Sequence, residues 1–285
     1  MTESNPKRLT KTELAKRLGI SRSSLYYQHK RPLIDEEVRR QIEAVLADNP
    51  AYGHRRIALA LKLNKKRILR VMKKYKIKPY RRRGRKPRKE DDEGKSDAKH
   101  ENLIEGFCPI RSDVVWVSDF THIRFKERFI YLSTIMDQFT REVVGWNISR
   151  FHNQELVLGA LEQALGHSQY SIPLYLHSDQ GSEYDSQAYT AVAKDLKIKI
   201  SMSRKQSPWE NPYQESFYSQ FKLDLGDPNR FETLGELIEA IYQTMYYYNH
   251  KRIHTALKMS PVDFRKQFER RVLECGDNLS SKLGT

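Results

Sequence analysis

The segments WVSDFTHIRF (116–125) and YLHSDQGSEY (175–184) decide the fold of this chain. In each segment, an apolar run typical of a buried strand leads to an aspartate, Asp119 in the first and Asp179 in the second. Two carboxylates that follow strands in this way are candidates for a single functional site. Asp119 and Asp179 are therefore the first site residues that the sequence predicts.

A third carboxylate, Glu215, lies in WENPYQESFYSQFK (209–222). This segment is typical of a loop that enters an amphipathic helix, with Phe217 and Phe221 on one face. Carboxylates at strand ends and on a nearby helix can hold two hard divalent cations, an arrangement used for displacement at phosphorus. The sequence thus indicates a metal-dependent site for phosphoryl chemistry.

Four motifs in this order resemble a known family. They are WVSDFTHIRF, HSDQGSEY, ENPYQESFYSQFK and YNHKRIHTALKMSPVDF, and the likeness covers about 114–264. The chain resembles the DDE transposases of bacterial insertion elements, whose catalytic core is shared with retroviral integrases. The resemblance implies an α/β fold with an RNase H-like core, in which helices flank a mixed five-stranded sheet. All-α helix-turn-helix DNA-binding units are expected to precede that core.

The resemblance also implies a reaction. Asp119, Asp179 and Glu215 would be both the catalytic residues and the ligands of two Mg²⁺ ions, for which Mn²⁺ could substitute. Asp119 would bridge the two ions. Water would first release a 3′-OH at the end of a mobile element, and that hydroxyl would then attack a phosphodiester in another strand. The implied function is strand cleavage and strand transfer in DNA integration and recombination.

The expected partners follow from the same resemblance. They are the terminal inverted repeats of the element, the target DNA, and further copies of the chain assembled on DNA. The resemblance leaves open whether an upstream reading frame supplies a further DNA-binding subunit. Two alternatives compete: a DNA-binding regulator with an inactive RNase H-like domain, which the complete carboxylate set opposes, and a nuclease that stops at hydrolysis.

The charge distribution independently favours nucleic-acid binding. Residues 1–100 hold 30 Lys and Arg against 12 Asp and Glu, whereas residues 101–285 hold 21 against 24. The entire basic excess therefore lies in the first third of the chain. Such asymmetry indicates a DNA-binding arm joined to a nearly neutral domain.

Residues 1–32 are typical of a small helix-turn-helix. Thr10 and Glu13 form a capping box, Gly19 breaks the helix, and a second helix is expected at 22–28. In such a motif the second helix enters the major groove. The residues placed on DNA are Arg22, Ser23 and Tyr26. An ordinary helical hairpin is the alternative.

Residues 33–80 predict a second helical unit of helix-turn-helix type. One helix is expected at 35–47, another after YGHRRI (52–57), and a basic one at 65–76 capped by Asn64. The residues assigned to DNA in this unit are Arg55, Arg56, Lys65 and Lys66. His54 stands beside two arginines, which favours a phosphate or structural contact over a metal.

Residues 81–105 are expected to be a flexible linker. The run RRRGRKPRK (81–89) contains seven basic residues in nine, interrupted by Gly and Pro, and cannot pack into a core. Its charge suits a phosphate backbone. The residues assigned to DNA here are Arg81, Arg82, Arg83, Arg85 and Lys86.

Residues 106–270 are expected to form the catalytic core, and 271–285 a flexible C-terminal tail. Polar, Pro-interrupted residues 203–212 predict a mobile loop before Glu215. Strands are expected at 114–119, 128–136, 142–149, 173–178 and 197–201. Helices are expected at 153–166, 187–196 and 232–249, in addition to the one that carries Glu215.

Other polar residues near the motifs are weaker candidates. Asp137 is expected to have a structural role in a turn, and Glu183 and Glu210 are alternatives to the three main carboxylates. His122 and His177 are each expected to make structural hydrogen bonds. For Arg252 and His254, packing is favoured over contact with substrate.

Composition excludes several classes of protein. Cys108 and Cys275 are far apart, so the chain lacks the ligand spacing of a structural zinc site. No apolar stretch approaches membrane-spanning length, and MTESNPKRLT is not a signal peptide. We therefore expect a cytoplasmic, nucleoid-associated bacterial protein.

Overall fold

A computed structural model describes residues 10–26, 31–81, 100–167, 170–204 and 211–283 of the chain. Most of the basic linker and part of the loop before Glu215 lie outside these ranges. The residues of interest that fall outside are Arg82, Arg83, Arg85, Lys86 and Glu210. Their assignments stay predictions.

The centre of the fold is a mixed five-stranded sheet in the order β3-β2-β1-β4-β5. The strands are β1 (Val115–Phe125), β2 (Arg128–Asp137), β3 (Val143–Ser149), β4 (Tyr175–Ser178) and β5 (Lys199–Met202). β1, β2 and β3 are antiparallel, whereas β4 and β5 continue the sheet parallel to β1. This is the RNase H-like sheet that the sequence predicted.

β1 is longer than expected, since it runs past residue 119 to Phe125. Phe125 pairs with Arg128 across a two-residue turn, in which Lys126 adopts a positive φ of 52°. Such φ values suit the tight turns of β-hairpins. The amide of Lys126 donates to Asn229 (2.6 Å), which further fixes the turn. The hairpin therefore extends the sheet well beyond Asp119.

Helices cover both faces of the sheet. They are α5 (Gln154–Gly166), α6 (Gln187–Asp195), α7 (Pro212–Leu225), α8 (Leu234–His250) and α9 (Pro261–Leu283). Alternate residues of β1 point to opposite faces. Trp116 packs in the core under α5 and α6, while Val117 packs in the core under α7 and α8.

The N-terminal helices are α1 (Lys11–Arg17), α2 (Arg31–Asp48), α3 (His54–Ala60) and α4 (Lys65–Lys74). The capping box expected at Thr10 and the N-cap expected at Asn64 are both present. The helix expected at 22–28 is wrong in type, because Arg22–Tyr26 forms a 3-10 helix. Ser21 bonds to the Ser23 and Ser24 hydroxyls there, and such local side-chain bonds compete with α-helix formation.

The unit formed by α2, α3 and α4 packs directly on the domain that contains the sheet. Arg56 donates from Nε to the carbonyl of Ile253 (3.0 Å) and from Nη1 to Gln220 on α7 (3.3 Å). The amide of Ile253 donates to the Tyr52 hydroxyl (2.7 Å). Arg56, which the sequence analysis assigned to DNA, is instead a docking residue. A local pattern could not show this, because its partners lie far along the chain.

Two boundaries also differ from expectation. The linker was predicted to continue to 105, but Ile104 is buried in the core and the amide of Leu103 donates to Ser201 on β5 (2.9 Å). The tail predicted at 271–285 continues α9 as a helix to Leu283. No proline interrupts the chain after Pro261, so nothing in the sequence forces the helix to end at 270. No helix in the described ranges has the length and apolarity needed to cross a membrane.

Replacing Arg56 tests the docking contact. We expect Arg56→Ala to lower the free energy of unfolding by about 1–3 kcal/mol, since it removes charged hydrogen bonds at a partly buried contact. Arg55→Ala is the matched control, because Arg55 is exposed on the same helix. Urea unfolding measures both. Equal stabilities of the two variants would show that Arg56 does not hold the unit to the core.

Candidate active site

The pairing of β1 with β4 brings Asp119 and Asp179 to the same level of the sheet. Val117 pairs with His177 in a parallel register, and each aspartate follows its strand partner by two residues. Neighbouring strands lie about 4.8 Å apart, and residues two apart share a face. Both carboxylates therefore start from adjacent strands on the face that α7 covers. Both are partly buried.

α7 brings Glu215 to this face. The helix begins at Pro212 and crosses β1, so that its inner side contacts the strand while Glu215 is exposed beside it. At its first turn, the guanidinium of Arg141 lies 3.6 Å from the ring centroid of Tyr213. The sequence-predicted carboxylates are thus assembled from β1, the end of β4 and α7.

Buried polar groups hold α7 against the sheet. Gln214 is fully buried, and its Nε2 donates to the carbonyls of Val117 (2.6 Å) and Thr134 (3.2 Å). Its Oε1 accepts from the Thr134 hydroxyl (3.0 Å). The Tyr218 hydroxyl donates to the carbonyl of Asp119 (2.6 Å). Gln214 and Tyr218 flank Glu215 in sequence, so these bonds fix Glu215 relative to Asp119.

Electrostatic repulsion is strong at the site. The pKa of Asp119 is raised from 3.8 to about 7, chiefly because the carboxyl is buried and next because the Asp179 carboxylate lies nearby. Glu215 contributes a smaller repulsion to the same pKa. Burial also raises the pKa of Asp179, which is partly offset by a hydrogen bond from the Gly181 amide. A bound cation would relieve this repulsion.

Lys222 is a site residue that the sequence analysis missed. Its ammonium donates to the Thr121 hydroxyl (2.6 Å), and its charge lowers the pKa of Asp119. Lys222 follows Glu215 by seven residues, which is two helical turns and places both on one side of α7. That spacing is the signal that could have identified it.

His152 is a second missed residue. Its Nε2 lies 3.2 Å from an oxygen of Glu183, which itself lies close enough to raise the pKa of Asp179. Glu183 therefore pairs with a histidine beside the site. Nothing in the local sequence around His152 indicated this contact, because the loop before α5 is brought there only by the fold.

Most of the residues expected to be structural have such roles. Asp137 is buried and accepts hydrogen bonds from the Asp113 amide and from Thr140. His177 is buried with its ring nitrogen 2.9 Å from the Ser201 hydroxyl. His122 differs, because it lies exposed with its ring edge-on to Phe129.

The packing role favoured for Arg252 and His254 is confirmed. Arg252 is buried in an ion pair with Asp224 and also donates to Gln220 on α7. Burial and the neighbouring arginines lower the pKa of His254 to about 4, so it is neutral at neutral pH. Arg252 therefore braces α7 from behind.

The candidate DNA-binding residues do not share one environment. Those on the surface of the N-terminal helices are Arg22, Ser23, Tyr26, Arg55, Lys65 and Lys66. Lys65 and Lys66 are exposed at the start of α4. Arg81 is exposed, but its Nη1 donates to the carbonyl of Ala51 (2.8 Å), so it also anchors the end of the helical unit.

The donor chemistry fits a hard divalent cation. Asp119, Asp179 and Glu215 supply only carboxylate oxygens, the ligands that Mg²⁺ prefers. Within the described residues, no three His, Cys, Asp or Glu side chains converge closely enough to hold one ion together. Asp119 lies on β1, Asp179 directly follows the paired strand β4, and the Glu215 side chain is exposed beside them.

Several known proteins and two family models are similar to this chain. The model of the integrase core domain family matches residues 110–208, and a second integrase core domain model matches 196–261. The transposase for insertion sequence element IS904 of Lactococcus lactis is 33% identical over 84% of this chain and 98% of its own length. A transposase-like protein of Haemophilus influenzae is 32% identical over 73% of this chain and 95% of its own length.

A solved structure of the HTLV-2 integrase catalytic core in complex with magnesium is also similar. It is 19% identical, and the match covers 55% of this chain and 98% of that one, with a TM-score of 0.45.

The raised pKa of Asp119 predicts a pH-dependent stability for the metal-free protein. Between 3.8 and about 7, native Asp119 keeps a proton that the unfolded chain has lost, so stability falls as pH rises through this window. Asp119→Asn should make this fall shallower and raise the melting temperature at neutral pH. Thermal unfolding in chelator at several pH values measures the effect, with the exposed Glu162→Gln as control. An unchanged slope in Asp119→Asn would contradict the prediction.

The hydrogen bonds of Gln214 predict a second effect. Gln214→Leu should cost about 1–3 kcal/mol of stability, because it leaves buried carbonyls unpaired, and it should weaken Mn²⁺ binding by moving Glu215. Calorimetry measures ion binding. Phe221→Leu is the control, since Phe221 is buried on the same helix without polar contacts to the sheet. Equal ion affinity in the two variants would show that Gln214 does not position the site.

Proposed function

The chain belongs to the transposases of bacterial insertion elements, and we propose that it cleaves DNA at element ends and transfers the freed strand. It is an enzyme of the DDE transposase and integrase class, a polynucleotidyl transferase. The observation that most supports the finer proposal is the matched placement of Asp119 and Asp179 on paired strands beneath α7. A purely structural role would not explain why two carboxylates that repel each other lie side by side at one level of the sheet.

Three residues would hold the metal. Asp119, Asp179 and Glu215 offer oxygen ligands for two divalent cations, Mg²⁺ by preference and Mn²⁺ as a substitute. When bound, the cations would activate the attacking oxygen and stabilise the leaving one. The chain itself supplies the fixed spacing of the carboxylates and the cation of Lys222 beside Asp119.

The proposed reaction has two steps, and each is a displacement at phosphorus by an oxygen nucleophile. In the first, a water oxygen attacks phosphorus at the element end, the bond to the 3′ oxygen breaks, and a 3′-OH and a 5′-phosphate result. In the second, that 3′ oxygen attacks a phosphodiester of another strand and displaces its 3′ oxygen. In each step the nucleophile loses a proton and the leaving oxygen gains one. The protein forms no covalent bond to DNA.

The substrate defines the partners. The terminal inverted repeats and the target DNA would contact the basic N-terminal part, including the exposed start of α4 with Lys65 and Lys66. Two ends must be held together for joining, so we propose a homo-oligomer on DNA, with an upstream-frame DNA-binding subunit as a further partner. A bacterial enzyme with this substrate would act in the cytoplasm at the nucleoid.

The proposed domain organisation is modified by the docking of α2 to α4. We propose that 1–32 is a DNA-binding unit and that 33–80 is a second one, held on the core through Arg56 and Tyr52. The basic segment from Arg81 onward would track phosphates between these units and the core. Catalysis would reside in the part of the chain from Ile104 to α9.

A nuclease that stops at hydrolysis remains the alternative. It would use the same carboxylates, so the geometry of the site does not separate the two reactions. Only a transposase yields joined products when labelled DNA carrying the element ends is incubated with Mg²⁺. Products longer than the substrate support strand transfer, whereas shortened products alone support the nuclease.

Replacing each carboxylate tests the site. Asp119→Asn, Asp179→Asn and Glu215→Gln should each abolish cleavage and joining while leaving end binding intact, because each swap keeps the size but removes a charge that neutralises metal. Glu183→Gln is the control, since Glu183 pairs with His152 instead. Gel assays measure products, and filter binding measures affinity. Strand transfer by any of the three variants would remove that residue from the proposed site.

A further inference from the structure

A row of aromatic and histidine rings leads away from the active site along the β1–β2 hairpin. We call it the ring row, and its members are Phe120, His152, Tyr131, His122 and Phe129. The ring centroids of Phe120 and His152 are 4.2 Å apart, and those of Tyr131 and His152 are 5.4 Å apart with nearly parallel planes. Tyr131 pairs with His122 across the strands, and His122 lies 5.3 Å from Phe129. Directly opposite residues on antiparallel strands are neighbours, so the five side chains form one row.

The inner end of the ring row packs against the core under α5 through Phe120, whereas its outer end, with His122 and Phe129, is exposed. Phe120 and His122 are two residues apart and therefore lie on the same face of β1, the face that packs under α5. α5 begins only at Gln154. Beyond the start of α5 the face is open, and Phe129 is 48% exposed. A groove of about 800 Å³ lies at the tip of the hairpin, where Phe129, Tyr131 and Arg150 line it from the ring side and Phe125 and Leu234 line it from the other side of the sheet.

Charge shows what kind of partner this face fits. Arg124, Arg128 and Arg150 are all exposed around the hairpin, and Glu127 at the turn is the acidic residue between them. Arg124 pairs with Phe129 in the register of the strands, so a cation accompanies the outermost ring. Rings interleaved with arginines are typical of surfaces that bind single strands by stacking bases and neutralising phosphates.

The inner end of the ring row adjoins the catalytic carboxylates. Phe120 follows Asp119 directly, and His152 contacts Glu183 at 3.2 Å. Gly181 fits between Glu183 and Asp179, since a Cβ there would lie 2.8 Å and 3.1 Å from their respective oxygens. Phe120 points to the opposite face of the sheet from Asp119. β1 pairs with β4 only as far as Val117, so its edge is free beyond that residue. A strand whose phosphate reaches Asp119 and Asp179 would therefore pass this edge beside Glu183 and His152 before its next nucleotides reach the rings.

We propose that the ring row stacks unpaired bases of the element-end DNA strand next to the phosphodiester that is cleaved. The proposal rests on the proposed function. Bases can reach aromatic faces only where the duplex is open, because paired bases keep their faces inside the helix. The row would hold the end of the duplex open beside the site, with Arg124 and Arg150 on its phosphates.

Fluorescence of a base analogue tests the proposal with the full chain. The probe is a short duplex of the element end with an unpaired tail that carries 2-aminopurine, whose emission is quenched on stacking. Titration in chelator prevents cleavage. We expect quenching by the wild type, and roughly tenfold weaker binding of the tailed probe by Phe129→Ala and by His122→Ala, given the usual contribution of one stacked base. Binding of the blunt duplex should be unchanged in both variants.

Matched variants separate stacking from folding. Phe129→Tyr keeps the ring and should bind the tailed probe as the wild type does. Phe129→Leu keeps only the apolar bulk and should bind it as weakly as Phe129→Ala. Tyr246→Ala removes a comparably exposed ring from α8 and should have no effect on the tailed probe. Absence of quenching, or equal losses on tailed and blunt probes, would overturn the proposal.

The failure of the ring row and the failure of the proposed function give different results. If the wild type cleaves and joins element ends in Mg²⁺ but does not quench the tail, the ring row fails and the function stands. If the wild type quenches the tail, and Phe129→Ala and His122→Ala bind the tailed probe more weakly, but no DNA is cleaved in Mg²⁺, the stacking surface is supported and the proposed function is contradicted.

Discussion

The hydrogen bonds between α7 and the middle of β1 set the geometry on which the rest of the active region depends. Gln214 and Tyr218 bind the carbonyls of Val117 and Asp119, so the helix cannot slide along the strand without leaving buried groups unpaired. The repulsion among the three carboxylates acts against this attachment. Behind the helix, Arg252 bridges Asp224 and Gln220 and so adds a second restraint.

Local patterns predicted the elements well, because caps, turn residues and apolar alternation act over a few residues. Thr10, Asn64 and the strand ends at Asp119 and Asp179 are examples. The misses share a different cause: Arg56, Ile104 and the last part of β1 are decided by partners distant in the chain. The three main carboxylates could be predicted only because a family pattern supplied what spacing could not.

The second set of misses concerns charge. From the sequence, a cluster of arginines indicates DNA, yet Arg56 bonds to the carbonyl of Ile253 and Arg81 bonds to the carbonyl of Ala51. An arginine can neutralise a phosphate or cap a peptide group with the same planar donors, so residue type does not separate the two uses. Burial separates them, and burial depends on the assembled fold.

The contacts that hold α2, α3 and α4 on the core fix the distance and orientation of this unit relative to the carboxylates. A binding unit on a flexible linker would tolerate any spacing between its site and the cut, whereas a fixed unit couples position to helical phase. Each base pair inserted between the two sites turns the DNA backbone by about a tenth of a turn. Under the proposed function, a unit fixed in this way would set the point of cleavage by its distance and angular position along the DNA, and the bases at the cut itself would carry no sequence information.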